Sequence, residues 1–175
     1  MKTPQVAIIM GSDSDLKVMA EVARVLTELG IGNEVLILST HRVPEETADF
    51  AKGAASRGLK VLIAGAGGSA ALAGSLASQT TLPVIGVPIK SKTMEGLDSL
   101  LSTVQMPPGV PVATVSVNGA KNAAILAAQI IGLASPRVAR QLADYKKKMG
   151  KEVLEKNSKL QNLGWSKYLK EMSKK

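Results

Sequence analysis

The sequence predicts an α/β fold in three layers: a doubly wound parallel sheet covered by helices on both faces, with a helical tail at the C-terminus. Three observations carry this expectation. Short apolar runs alternate with segments of helical periodicity along most of the chain. The runs are apolar at successive positions, as strands covered on both faces must be. The connections between them are short, which favours right-handed crossovers between neighbouring parallel strands. At 175 residues the chain fits one domain with a full core.

The elements follow in order. Residues 6–10 are an unbroken apolar run and form the first strand. Val18, Met19, Val22, Val25, Leu26 and Leu29 recur at helical spacing, so a helix runs from about Asp15 to Leu29, with Gly30 as its stop. Residues 34–38 form the second strand. Pro44 opens a second helix where a missing N–H costs nothing, and Arg57-Gly58 closes it. Residues 59–64 are the third strand, which enters the turn Gly65-Ala66-Gly67-Gly68 and then a small-residue helix from Ser69 to about Ser78. A fourth strand at 84–87 leads through Pro88 to a helix around 96–104, and 112–117 form the fifth strand. The helix at 122–131 is apolar almost all round and must be buried, for which contact between subunits is one route. A long charged helix begins at Pro136. Residues 1–155 are expected to form the domain and 156–175 a basic helical tail.

Charge and composition exclude several function classes. The net charge of +8 is concentrated at the end: residues 146–175 hold ten lysines against three acids, leaving +1 on the rest. Of four aromatics, only Phe50 precedes residue 140, so the body offers no stacking platform between basic residues, and nucleic-acid binding is not expected. There is no cysteine and one histidine, which rules out thiolate or His-built metal centres and a cysteine nucleophile. No apolar stretch reaches the roughly 18 residues of a membrane span, and Met1–Gln5 leads directly into a strand with no signal-peptide core. A cytoplasmic protein is expected.

Ligands of doubly wound sheets bind beyond the carboxyl ends of the strands. Four loops of unusual composition fall on that rim: Gly11–Asp15, Ser39–Arg42, Gly65–Ser69 and Pro88–Lys92. Ser12, Ser14 and Asp15 stand at a helix N-terminus, where free N–H groups and the helix dipole suit a phosphate. The same residues are also preferred N-caps, which need no ligand. Arg42 adds a planar fork for phosphate oxygens, and Asp15 an acceptor for sugar hydroxyls. His41, beside Arg42, suits general acid–base work on a bound heterocycle, although a single histidine can equally be structural. The glycines either let a helix pack closely or bring backbone N–H groups to a substrate. Neither G-x-x-x-x-G-K-[ST] nor G-x-G-x-x-G after the first strand is present, so P-loop and dinucleotide readings fail. Glycine at the end of the third strand also removes the acidic phosphoacceptor of a receiver domain.

These segments, with Gly86-Val87-Pro88, Gly96-Leu97-Asp98-Ser99-Leu100, Val104-Gln105-Met106-Pro107 and Asn122-Ala123-Ala124, occur in order and at the expected spacing. Together they resemble the PurE family of purine biosynthesis over residues 5–155. The resemblance implies a flavodoxin- or Rossmann-like sheet, a homo-octamer, no metal and no organic cofactor. It implies an isomerase acting on a small ribonucleotide, moving a carboxylate from the exocyclic nitrogen of N5-carboxyaminoimidazole ribonucleotide to C4 of the imidazole through enclosed CO2. Carried over residue by residue, it gives the phosphate to Ser12, Ser14 and Arg42 and the ribose hydroxyls to Asp15, with Gly11 and Ser39 among the substrate-binding residues. His41 becomes the general acid and base, and Gly67, Gly68 and Ser69 border the carboxylate.

Two departures stand out. Ala71 and Ala73 replace the histidine and proline usual in the glycine-rich loop, which moves that loop towards a related class that carboxylates aminoimidazole ribonucleotide directly from CO2. Thr40 replaces an alanine beside His41. Direct carboxylation, and more distantly non-catalytic nucleotide binding, are the alternatives.

Overall fold

A computed structural model describes residues 3–173; Met1 and Lys2 of the N-terminal lead, and Lys174 and Lys175 of the basic tail, lie outside the described residues. Five parallel strands, β1 (Val6–Met10), β2 (Asn33–Ile37), β3 (Val61–Gly67), β4 (Val84–Ile89) and β5 (Ala113–Thr114), form one sheet in the order β2-β1-β3-β4-β5. Among the described residues, seven α-helices accompany them: α1 (Leu16–Glu28), α2 (Pro44–Gly53), α3 (Leu72–Ala77), α4 (Leu97–Val104), α5 (Ala120–Gly132), α6 (Pro136–Leu163) and α7 (Trp165–Met172).

Alternation along β1 divides the core. Val6, Ile8 and Met10 pack with α1, α5 and the start of α6, whereas Ala7 and Ile9 pack with α2 and α3. All five β1 residues are fully buried, which is why a continuous apolar run forms this strand. The strand order reverses direction between β1 and β3, and a ligand crevice is expected there at their carboxyl ends.

The structure revises four expectations. Gly65, Ala66 and Gly67 are paired with β4 as part of β3, not a turn. A side chain at Gly65 would collide with the Met19 thioether from α1, so this glycine permits close helix-on-sheet packing. The following helix therefore starts only at Leu72. The fifth strand pairs over two residues because it is a sheet edge, and Asn118, at φ +57°, turns the chain towards α5. Helix α5 is covered within the chain, by α1 and by Val138, Leu142 and Tyr145 of α6. Beyond Tyr145, α6 has no buried residue. It continues unbroken across position 155 to Gly164, where α7 folds back and Lys159 pairs with Glu171 at 2.5 Å.

Candidate active site

The chain leaves β1 through Gly11 into a 3-10 turn, Asp13–Asp15, that precedes α1. Ser12 caps this turn: its Oγ accepts from the N–H of Ser14 at 3.3 Å and donates to Asp13 Oδ1 at 3.1 Å. Ser14 Oγ donates to Asp15 Oδ1 at 3.3 Å. Asp15 is only 8% exposed, and that burial raises its carboxyl pKa above the ordinary 3.8; the Ser14 bond opposes the shift and the nearby Asp13 charge adds to it. A partly dehydrated carboxylate at a cavity wall binds hydroxyl donors more strongly than one in water.

After β2 the chain makes a tight turn in which the N–H groups of Arg42 and Val43 reach the Ser39 carbonyl, at 3.1 and 2.8 Å. Pro44 then opens α2 at its first position. Arg42 Nε donates to Ser39 Oγ at 3.2 Å, and Nη2 donates to the Gly11 carbonyl at 2.5 Å. The guanidinium thus spans the first two loops with its fork fixed between them. Thr40 Oγ1 and Ser75 Oγ share a hydrogen bond of 2.6 Å, tying this loop to α3. His41 is exposed on the rim, and its imidazole has no hydrogen-bond partner among the described residues.

The third wall comes from the end of β3. Gly68 adopts φ +63°, a conformation glycine takes without strain, and its N–H donates to Ser99 Oγ at 2.9 Å.

These loops enclose one cavity of about 560 Å³, within the range of roughly 300–1,000 Å³ for small-molecule sites. Gly11, Ser12, Ser14, Asp15, Ser39, His41, Arg42, Gly67, Gly68 and Ser69 all line it. Leu72 is a wall residue that sequence reasoning missed, whereas Ile89, Lys90 and Ser91 fall in the rim loop Pro88–Lys92 read from the sequence. The signal of Leu72 was its place just after the loop that follows β3, with no motif of its own. Ala71 also lines the cavity, so the residue that departs from the PurE pattern places a methyl group where an imidazole would stand. Ala66, Ala71, Leu72 and Ile89 are the apolar side chains of the lining, beside the polar Ser12, Ser14, Arg42, Ser69, Lys90 and Ser91. Among the described residues, no group of three or more His, Cys, Asp or Glu could hold a metal ion, and no helix is long and apolar enough to cross a membrane.

Comparison with known proteins agrees with this geometry. A family model described as AIR carboxylase matches residues 5–152. The chain belongs to the AIR carboxylase family. It is 57% identical over 166 residues to a Thermotoga maritima protein named N5-carboxyaminoimidazole ribonucleotide mutase, covering 95% of this chain and 97% of that one. A Pyrococcus horikoshii protein of the same name is 56% identical over 168 residues, covering 96% and 95%. The crystal structure of Treponema denticola PurE superposes with a TM-score of 0.82 at 32% identity, covering 90% of this chain and 98% of that one. The AIR carboxylase family match, over residues 5–152, thus spans the sheet and every loop of the cavity.

Proposed function

We propose that this chain is an isomerase of purine biosynthesis that converts N5-carboxyaminoimidazole ribonucleotide to 4-carboxy-5-aminoimidazole ribonucleotide. The observation that carries the reading is one cavity whose lining combines an anion anchor of Ser12, Ser14 and Arg42 with His41 and the apolar side chains of Ala66, Ala71, Leu72 and Ile89. Ser12, Ser14 and Arg42, with Gly11 and Ser39, hold the phosphate; Asp15 accepts from the ribose hydroxyls.

The chemistry balances without a redox partner. The exocyclic N–C bond breaks, its electron pair returns to nitrogen, nitrogen gains a proton and CO2 leaves. C4 then attacks CO2 with a ring electron pair, a C–C bond forms, and loss of the C4 proton restores aromaticity. One proton is taken up and one released, so a single imidazole at His41 gives the first and takes the second. CO2 is apolar and must be recaptured before it escapes, for which the wall of Ala66, Ala71, Leu72 and Ile89 is suited. Gly67, Gly68 and Ser69 border the carboxylate.

The homo-octamer implied by the resemblance is part of this reading. Leu97, Leu101 and Val104 form an exposed apolar stripe on α4, and Val35 and Ile37 are 45% and 56% exposed on the edge strand β2. Sedimentation at the mass of eight chains supports the octamer; a single-chain mass refutes it. The setting is the cytoplasm.

The test is a two-substrate assay following formation of the 4-carboxylated product. The reading expects fast turnover of the N5-carboxylated nucleotide and slow turnover of aminoimidazole ribonucleotide with bicarbonate. The reverse order, which Ala71 in the cavity wall would favour, makes the chain a direct carboxylase. Product binding without turnover in either direction makes it a non-catalytic binder.

A further inference from the structure

Helix α4 holds one wall of the cavity from behind. Ser99 has no exposed surface, and its Oγ accepts from the N–H of Gly68 at 2.9 Å while donating to the carbonyl of Ile89 at 2.7 Å. One hydroxyl therefore joins the loop after β3 to the last residue of β4. Its neighbour Asp98 extends the connection: Oδ1 accepts from Ser91 Oγ at 2.8 Å and from the N–H of Ser99 at 2.9 Å. Gly68, Ile89 and Ser91 line the cavity, whereas Asp98 and Ser99 do not. The anchors around Arg42 belong to the loops after β1 and β2 and are bonded to one another across the Gly11 carbonyl. The hydrogen bonds of Asp98 and Ser99 stay on the β3–β4 side of the cavity, which meets the phosphate-side loops through Thr40–Ser75 and the Gly11 N–H to Gly65 carbonyl bond.

Gly68 needs this support. At φ +63° glycine has no intrinsic preference over its other allowed conformations, so an external bond must select the one seen. Ser99 supplies it from a position fully excluded from water, where a hydrogen bond is strong and its loss costly.

We infer that Ser99, oriented by Asp98, is a positioning residue that fixes Gly68 and the Ile89–Ser91 segment against the migrating carboxylate, and so governs whether CO2 is recaptured or lost. The inference rests on the isomerase reading above. It separates nucleotide anchoring from carboxylate retention, because the hydrogen bonds of Asp98 and Ser99 do not reach the phosphate-side loops.

The experiment uses the full chain with Ser99→Ala, Asp98→Ala and Asp98→Asn. It measures kcat and KM for the N5-carboxylated nucleotide, Kd for uncarboxylated aminoimidazole ribonucleotide by calorimetry, and the uncarboxylated nucleotide released per product formed. In both alanine variants kcat falls on the order of 10- to 100-fold, the scale of a small misplacement of reacting groups. Release of uncarboxylated nucleotide rises, and its Kd stays close to that of the wild type. Asp98→Asn recovers kcat, because its amide oxygen still accepts both bonds. Should Ser99→Ala fail to fold, Asp98→Ala, a change at a half-buried helix start, decides by itself. Equal weakening for both nucleotides, or unchanged kcat and product partition, overturns the inference while leaving the isomerase reading intact. A wild-type chain that does not isomerise overturns both.

Discussion

Arg42 donates through Nη2 to the carbonyl of Gly11 at 2.5 Å, so the loop after β2 is locked to the loop after β1. One face of the guanidinium network is spent on the protein, and the cation is held beside Ser12 and Ser14 before any phosphate arrives. Lysine cannot repeat this arrangement, since it lacks the planar fork. Arg42→Lys therefore raises KM by about 10- to 100-fold, the equivalent of one charge-assisted hydrogen bond of about 1.5–3 kcal/mol. Because the residue is exposed, the melting temperature changes little. Steady-state kinetics and a thermal melt on the same preparation check both statements.

His41→Asn keeps the phosphate anchors and removes the proton carrier. Turnover falls by about 10²- to 10⁴-fold, the usual contribution of a positioned acid or base. Binding of the product, measured by calorimetry, remains within a few-fold. Retained turnover would remove His41 from its assigned role.

Asp15 trades stability for binding. Burial raises its pKa above 3.8, so the folded state binds a proton more tightly than the unfolded state does. The cost of ionising it in the fold is absent below 3.8, grows as pH rises through the raised folded value, and is complete above it. Asp15→Asn removes that cost: the variant melts higher than the wild type at neutral pH, and the difference shrinks as pH falls towards 3.8. Its KM is higher, because the carboxylate no longer accepts from the ribose hydroxyls. Melting curves across pH test the first expectation and kinetics the second.

Two glycines make a matched pair for stability. A methyl at Gly65 would drive into the Met19 side chain, and Gly65→Ala is expected to cost about 1–3 kcal/mol. Gly53 at the end of α2 has nothing within 4 Å of an added Cβ, so Gly53→Ala gains up to about 1 kcal/mol. Denaturant titration of the two variants gives shifts of opposite sign.

How much of this was legible in the sequence depends on whether a residue's role is local. The bounds of β1 follow from five apolar residues between Gln5 and Gly11, and the four cavity loops follow from the rule that ligands sit at strand carboxyl ends. Gly65 misled because a glycine-rich run has the composition of a turn; only the path of Met19 across the sheet explains it as strand. The fifth strand looked longer because residues 112–117 are rich in valine and threonine, yet ladder pairing with β4 joins only Ala113 and Thr114 to Ile85 and Gly86. The apolar surface of α5 was read correctly as buried, but its cover is α6, whose charged composition disguises the apolar start at Val138 and Leu142. Ser91 fell in a rim loop read from the sequence, but the part of Ser99 could not be found from spacing, since it depends on where α4 docks.

A crystal soaked with the nucleotide tests the central claim most directly. The account predicts density in the rim cavity, with the phosphate among Ser12, Ser14 and Arg42 and the imidazole ring within hydrogen-bond reach of His41. Nucleotide bound elsewhere, with this crevice empty, would contradict it.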